Sequence, residues 1–260
     1  MIEYIKTYWK TIVFFGLAGL FGGFFTGVYL LDSYPAETRQ QLIMQLAMKG
    51  IDSVTPEVFI GIITAVQAAG FGLALGFLGI MLSKKTELWD DERKLEKKPL
   101  IAAAIVSVLG GLLMLLPDIF FFSNYSDAIK ASYESKPTIM NMLASVTYGA
   151  VIEEVMMRLF AMSLIVFLLE KIFDRSHALS KNAILILANA LSALLFGLLH
   201  IAANALMLGG SSMIIARCIL LNGGLGLLFG DLYRKFGIRY AMIAHGGCHI
   251  VCKLIWMLFI

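Results

Sequence analysis

The fold turns on the stretch "GAVIEEVMMRLFAMSLIVFLLEKIF", Gly149 to Phe173. From Val155 onward it reads as a membrane-spanning helix, yet it opens on Glu153 and Glu154 and carries Arg158. A charged side chain at the centre of a bilayer costs at least ~2.5–3.5 kcal/mol even on the mildest insertion scale. Three of them in so apolar a segment call for partners, for a task, or for both.

The rest of the chain confirms the membrane setting. Of 260 residues 59% are hydrophobic and 15% charged, whereas a soluble domain has about a quarter of its residues charged. The mean hydropathy is +0.83. The composition describes an all-α, polytopic transmembrane bundle forming a single integral-membrane domain over residues 1–260, with the motif-bearing core in 139–260. Runs long enough to cross a bilayer need ~17–25 apolar residues. They fall at Thr11–Leu31, Val58–Leu82, Leu100–Phe122, Ile139–Leu169, Ala183–Leu208, Met213–Leu232 and Ile238–Ile260. This predicts seven spans, or eight, of which the fourth is too long to stand perpendicular. The first run follows Lys6 and Lys10 but exceeds the h-region of a signal peptide, roughly 7–15 residues; it reads as a retained helix. "AETRQQLIMQLAMKG" (Ala36–Gly50) reads as a helix along the interface, and Ser83–Lys98, with charges of both signs, as a solvated loop with some helix.

Loop charges orient the bundle, because cytoplasmic loops carry the excess of Lys and Arg. With the N-terminus inside, the inner segments hold Lys6 and Lys10, six basic residues from Lys84 to Lys98, Lys171, Arg175, Lys181, Arg234, Lys235 and Arg239. The outer loops hold only Arg39, Lys49, Lys130 and Lys136. Fourteen against four places the N-terminus in the cytoplasm, and the expected site is the plasma membrane of a prokaryote. Positive charge confined to short loops between apolar runs is no nucleic-acid footprint. Cys218, Cys248 and Cys252 lie inside apolar segments without a CxxC pair, which argues against a disulfide framework or zinc ribbon. Gly19, Gly23 and Gly27, Gly72 and Gly76, and Gly226 and Gly230 recur at four-residue spacing, which lets helix backbones approach closely.

The polar residues at membrane depth are few. His177 lies in a loop beside Arg175, but His200, His245 and His249 lie in predicted spans. Glu154 and Arg158 are four apart and can pair on one helix face. Glu153 is rotated by about 100° from its neighbour and finds no cation at its own three or four spacing. One carboxylate is then neutralised by its own helix and the other is free to face a partner. Desolvation makes a carboxylate easier to protonate, as a general base or acid working near neutral pH requires. In the fifth span Asn189, His200 and Asn204 share one side of the helical wheel, with Ser192 at the margin. His245 and His249 stand one turn apart and can grip one ion or one substrate group; Cys248 and Cys252 flank them. Arg217 and Lys253 lie near span ends, where their long stems are expected to reach the interface, and Asp118 and Asp231 belong to helix ends. A set of buried polar contacts that only fixes packing is a poor account of these residues, since interhelical polar contacts average only ~0.6 kcal/mol.

"EEVMMR" (Glu153–Arg158), "FGLLH" (Phe196–His200) and "HGGCH" (His245–His249), in this order and on separate helices, resemble the motifs of the CAAX protease and bacteriocin-processing (Abi) family of intramembrane peptidases. The likeness runs from about Tyr148 to the C-terminus. It implies peptide-bond hydrolysis, with Glu153 as general base on water, aided by His200, and Glu154 and Arg158 positioning Glu153. His245 and His249 would stabilise the oxyanion or hold a metal. His249 departs from the pattern, which usually has Asn there. His200, His245 and His249 together could form a three-histidine site with an open position for water, as catalytic zinc commonly has. Against a metal, the pairing scheme leaves no carboxylate to orient a metal-bound imidazole. The cofactor stays open between a divalent metal, zinc first, and none. The implied partners are a peptide or protein substrate, membrane-anchored or not, and the lipid bilayer. No HExxH or GxSxG motif is present. The alternatives are a transporter or ion carrier, since intramembrane Glu and His also mark ion paths, and a non-catalytic scaffold. A transporter would carry spans broken at midplane in two related halves, and none of the five prolines breaks a span near its middle.

Overall fold

The computed structural model describes residues 2–51, 54–89, 94–134, 136–173 and 179–260. His177, Arg175 and Arg93 lie outside the described residues. The described chain is helical, in the order α1 (Ile2–Ser33), α2 (Ala36–Met48), α3 (Pro56–Lys85), α4 (Lys97–Phe120), α5 (Asp127–Ser132), α6 (Ile139–Ala144), two π-helical segments (Ser145–Glu153 and Val155–Met162), α7 (Ser163–Phe173), α8 (Lys181–Leu199), α9 (Ile201–Leu208), α10 (Ser212–Phe236) and α11 (Ile238–Phe259). No strand occurs among the described residues.

Local chemistry sets the boundaries. The Thr55 hydroxyl accepts from the Val58 amide with Pro56 in the first turn of α3, and Ser180 and Ser211 cap α8 and α10 in the same way. Such caps satisfy amides that a helix start leaves unpaired. Gly237, at φ +97°, ends α10, and α11 begins at the next residue. A positive φ is open to glycine without steric cost.

Six helical stretches are long and apolar enough to cross a membrane: Glu3–Ser33, Pro56–Lys85, Lys97–Asn124, Lys181–Leu208, Ser212–Phe236 and Ile238–Phe259. The protein is an integral membrane protein. The expected fourth span is not among the six. The run from Ile139 to Phe173 is helical throughout, but α6, the π-helical turns and α7 divide it, and it carries the three charges. The fifth span turns at His200, so its polar residues do not form one continuous stripe.

The π-bearing helix is the hub: α1, α3, α8, α10 and α11 all pack against it. Around it, α1 pairs with α3, α4 with α11, and α8 with α10. The glycines of α1 and α3 do what their spacing predicts. A Cβ at Gly23 would stand 2.5 Å from the Thr64 carbonyl oxygen, so the two backbones touch. The main core joins Phe15, Ile80, Val155, Leu159, Phe229 and Ala244. Phe14 and Phe21 of α1 point outward, 54% and 67% exposed, as lipid-facing side chains would.

Two expectations about charge fail. Arg217 does not reach for the interface: its guanidinium binds both oxygens of Asp118, which is 1% exposed. Lys253 is also buried, donating to the Ser145 hydroxyl and the Asn141 carbonyl. In both cases the partner stands on another helix, and sequence spacing along one helix is blind to it.

Candidate active site

Glu153 closes the first π-helical segment, and Val155 opens the second. A π turn holds one residue more than an α turn and often marks a functional position. Here it presents two successive carboxylates to different surroundings.

Glu154 turns inward. One of its oxygens, Oε1, accepts from Arg158 NH1 at 3.0 Å and from His245 Nδ1 at 2.8 Å. Its side chain is 0% exposed and that of Arg158 1%. The Arg158 fork continues to the Gly226 carbonyl at 3.1 Å, and its guanidinium carbon lies 4.5 Å from the Phe196 ring centroid. His245 stacks on Phe229, with centroids 4.5 Å apart and planes at 17°. The ion pair, the imidazole and two aromatic rings thus form one closed unit. A buried ion pair repays its desolvation only with further hydrogen bonds, and these are present.

Glu153 turns the other way. Its Oε1 is 3.8 Å from His200 Nε2 and its Oε2 is 3.9 Å from His245 Nε2. The side chains of Glu153 and His200 are 21% and 26% exposed, so this pair opens to the surroundings while Glu154 and Arg158 do not. His200 reaches the site although it lies past the last residue of α8. Helical side chains lean toward the N-terminus, and His200 Nδ1 bonds the Phe196 carbonyl at 2.8 Å. With Nδ1 donating there, Nε2 faces Glu153 with a free lone pair. This back-tilt brings together histidines that lie late in one span and early in another.

His249 stacks on His245, centroids 5.2 Å apart and planes at 25°. A Cβ placed on Gly149 would lie 3.4 Å from His249 Nε2 and 3.7 Å from His245 Nε2, so both nitrogens face the same bare backbone. Nδ1 of His249 is buried without a hydrogen-bond partner, as is Oε2 of Glu154. The remaining polar residues of α8 serve packing: Asn189 donates to the Leu227 carbonyl and Ser192 to the Met157 carbonyl.

Among the described residues no three or more His, Cys, Asp or Glu side chains are arranged to hold a metal ion. The reasoning from sequence against a metal nevertheless fails in its premise. Glu154 does orient a histidine, His245, and a carboxylate behind an imidazole is the kind of support that metal-bound histidines have. Cys248 instead donates to the Val106 carbonyl.

Phe229 and the Gly226 carbonyl escaped the sequence reading. Both belong to α10, which carries no ionisable residue beside them to flag the site; only the four-residue glycine spacing hinted at a close approach there.

Residues 135–251 match the family model for type II CAAX prenyl endopeptidases, Rce1-like. The match holds all three motifs. Over these residues the chain is similar to the CAAX protease and bacteriocin-processing family, which supports a peptidase acting on peptide or protein substrates in a membrane. No curated protein and no solved structure matches the chain.

Proposed function

We propose that the protein hydrolyses a peptide bond at the membrane with a water activated by Glu153. The observation that carries this reading is the placement of Glu153, partly exposed and 3.8 Å from His200 Nε2, beside a sealed Glu154–Arg158 pair. One water oxygen can lie within ~2.8 Å of both atoms. Glu153 takes a proton from that water while His200 accepts its second hydrogen bond, and the oxygen attacks the carbonyl carbon. The oxyanion that forms is met by the Nε2–H of His249, which faces Gly149 beside His245; a preorganised donor of this kind is often the largest catalytic contribution. Glu153 then passes its proton to the departing amine, which restores the carboxylate. His245 is oriented throughout by Glu154.

The substrate class follows from the family description: a prenylated peptide or protein bearing a CAAX-type tail, anchored in the same bilayer. The excess of Lys and Arg in the loops on one side supports a cytoplasmic N-terminus. The deciding experiment uses purified protein in vesicles, freed of metal and assayed on a prenylated CAAX-type peptide beside its unprenylated form. Cleavage at the full rate by metal-free protein, with preference for the prenylated peptide, supports a glutamate mechanism. A rate that follows zinc content would overturn it.

A further inference from the structure

The proposed role of His200 raises the question of what holds it in place. It sits at the turn between α8 and α9, with its amide bonded to the Gly197 carbonyl at 3.3 Å. The helix that follows, α9, has no buried residue, and at its far end Leu208 packs partly buried against the small cluster of Phe122, Ile129, Ile214 and Leu221. It ends at Gly209, φ +92°, where a Cβ would meet nothing within 4 Å. A catalytic group on so loosely packed a support would wander, and a shift of about 1 Å can cost ~100-fold in rate.

A chain of polar contacts runs to His200 from another helix. The Asn204 side chain donates from Nδ2 to the His200 carbonyl at 2.9 Å and accepts at Oδ1 from Arg217 NH1 at 3.0 Å. The same Arg217 fork grips both carboxylate oxygens of Asp118, on α4. Tyr133 adds a hydrogen bond to Asp118 at 2.8 Å. From Asp118 through Arg217 to Asn204 each link joins different helices, and the last, from Asn204 to His200, lies in the first turn of α9, of which His200 is the N-cap. Arg217 can span two acceptors at once because its guanidinium is a rigid planar fork.

We infer that Arg217, anchored on Asp118, holds His200 in register with Glu153 through Asn204, so that Arg217 and Asn204 are positioning residues for the reaction. This rests on the reading of His200 as a participant in hydrolysis, and the test separates the two.

Replacing Arg217 with Ala would leave Asp118 buried without its cation and could unfold the protein, so two milder variants are used. Asn204→Ala removes the side-chain link that ties His200 to Arg217, keeps the backbone bond from the Asn204 amide to the His200 carbonyl, and leaves Asp118–Arg217 whole. Arg217→Lys keeps the charge on Asp118 but lacks the fork. Full-length protein in vesicles is assayed for kcat and KM separately, with its thermal midpoint measured alongside. Each variant is expected to lower kcat about tenfold with KM and midpoint unchanged. The double variant should lose no more than either alone, because both cut the same chain of contacts. Independent, multiplying losses, or losses that track the midpoint, would overturn the inference, as would unchanged kcat in both variants while His200→Ala abolishes turnover. If His200→Ala itself leaves turnover intact, it is the reading of the site that falls.

Discussion

Glu153 and Glu154 are neighbours in sequence and opposites in circumstance. The half of the site around Glu154 is shut: one oxygen of its carboxylate binds both Arg158 and His245 against Phe196 and Phe229, with almost no exposed surface. The half around Glu153 is open: its carboxylate stands at nearly 4 Å from two imidazole nitrogens, outside hydrogen-bond reach of both. The first half spends its polar capacity on itself; the second keeps it for something else. Stability should therefore reside on one side of this helix and reactivity on the other.

The strongest way to break that contrast is Glu153→Gln. Turnover should fall by about 10²–10⁴-fold, the usual contribution of a general acid or base, while the thermal midpoint stays where it is. A folded Glu153→Gln protein with wild-type turnover would abolish the distinction. Arg158→Ala attacks the shut half. It strands the Glu154 carboxylate in the core and should cost roughly 3–5 kcal/mol of stability, with activity lost alongside; chemical denaturation in detergent reads the difference. A stable Arg158→Ala protein with normal turnover would refute the division.

Two gentler changes sharpen the contrast. At Gly226 a Cβ would lie 3.0 Å from the Ala193 Cα and 3.2 Å from Arg158 NH2. Gly226→Ala should therefore lower stability by about 1–3 kcal/mol through overpacking, seen as a reduced unfolding midpoint. Gly149→Ala should do the reverse. Its methyl would meet the two histidine nitrogens at ordinary contact distance, and a helical Gly→Ala change gains ~0.5–1 kcal/mol. The protein should melt higher yet hydrolyse more slowly, since the methyl occupies the approach to His245 and His249. Equal or faster turnover would mean that substrate comes by another route.

How far the sequence discloses this arrangement depends on whether the partners share a helix. The Glu154–Arg158 pair is local and readable from a spacing of four, and so are the glycines that seat α1 on α3. The spans follow from length and composition, except that a charged, π-helical stretch defeats any rule written for regular apolar helices. What fails is the pairing of particular polar groups between helices. His245 on Glu154, Arg217 on Asp118 and Lys253 on Ser145 join residues about 91, 99 and 108 positions apart. No periodicity along one helix encodes such pairs, so Arg217 and Lys253 read as cations seeking water when each has a polar group within the fold. The wheel that grouped Asn189 with His200 and Asn204 assumed an unbroken helix, and the turn at His200 gives the first to α10 and the other two to the site.

The single glycine between α10 and α11 gives the site a ruler. Gly226, which takes the Arg158 hydrogen bond, lies eleven residues before Gly237, and His245, which takes Glu154, lies eight after it. At 1.5 Å per residue these are arms of about 16 and 12 Å measured from one corner. Both contacts to the ion pair are thus gauged from the same point, with no loop to absorb an error. Adding one residue at that corner would turn α11 by about 100° and swing His245 away from Glu154, although neither side chain had been altered. Length, at this corner, is as much a part of the site as its side chains.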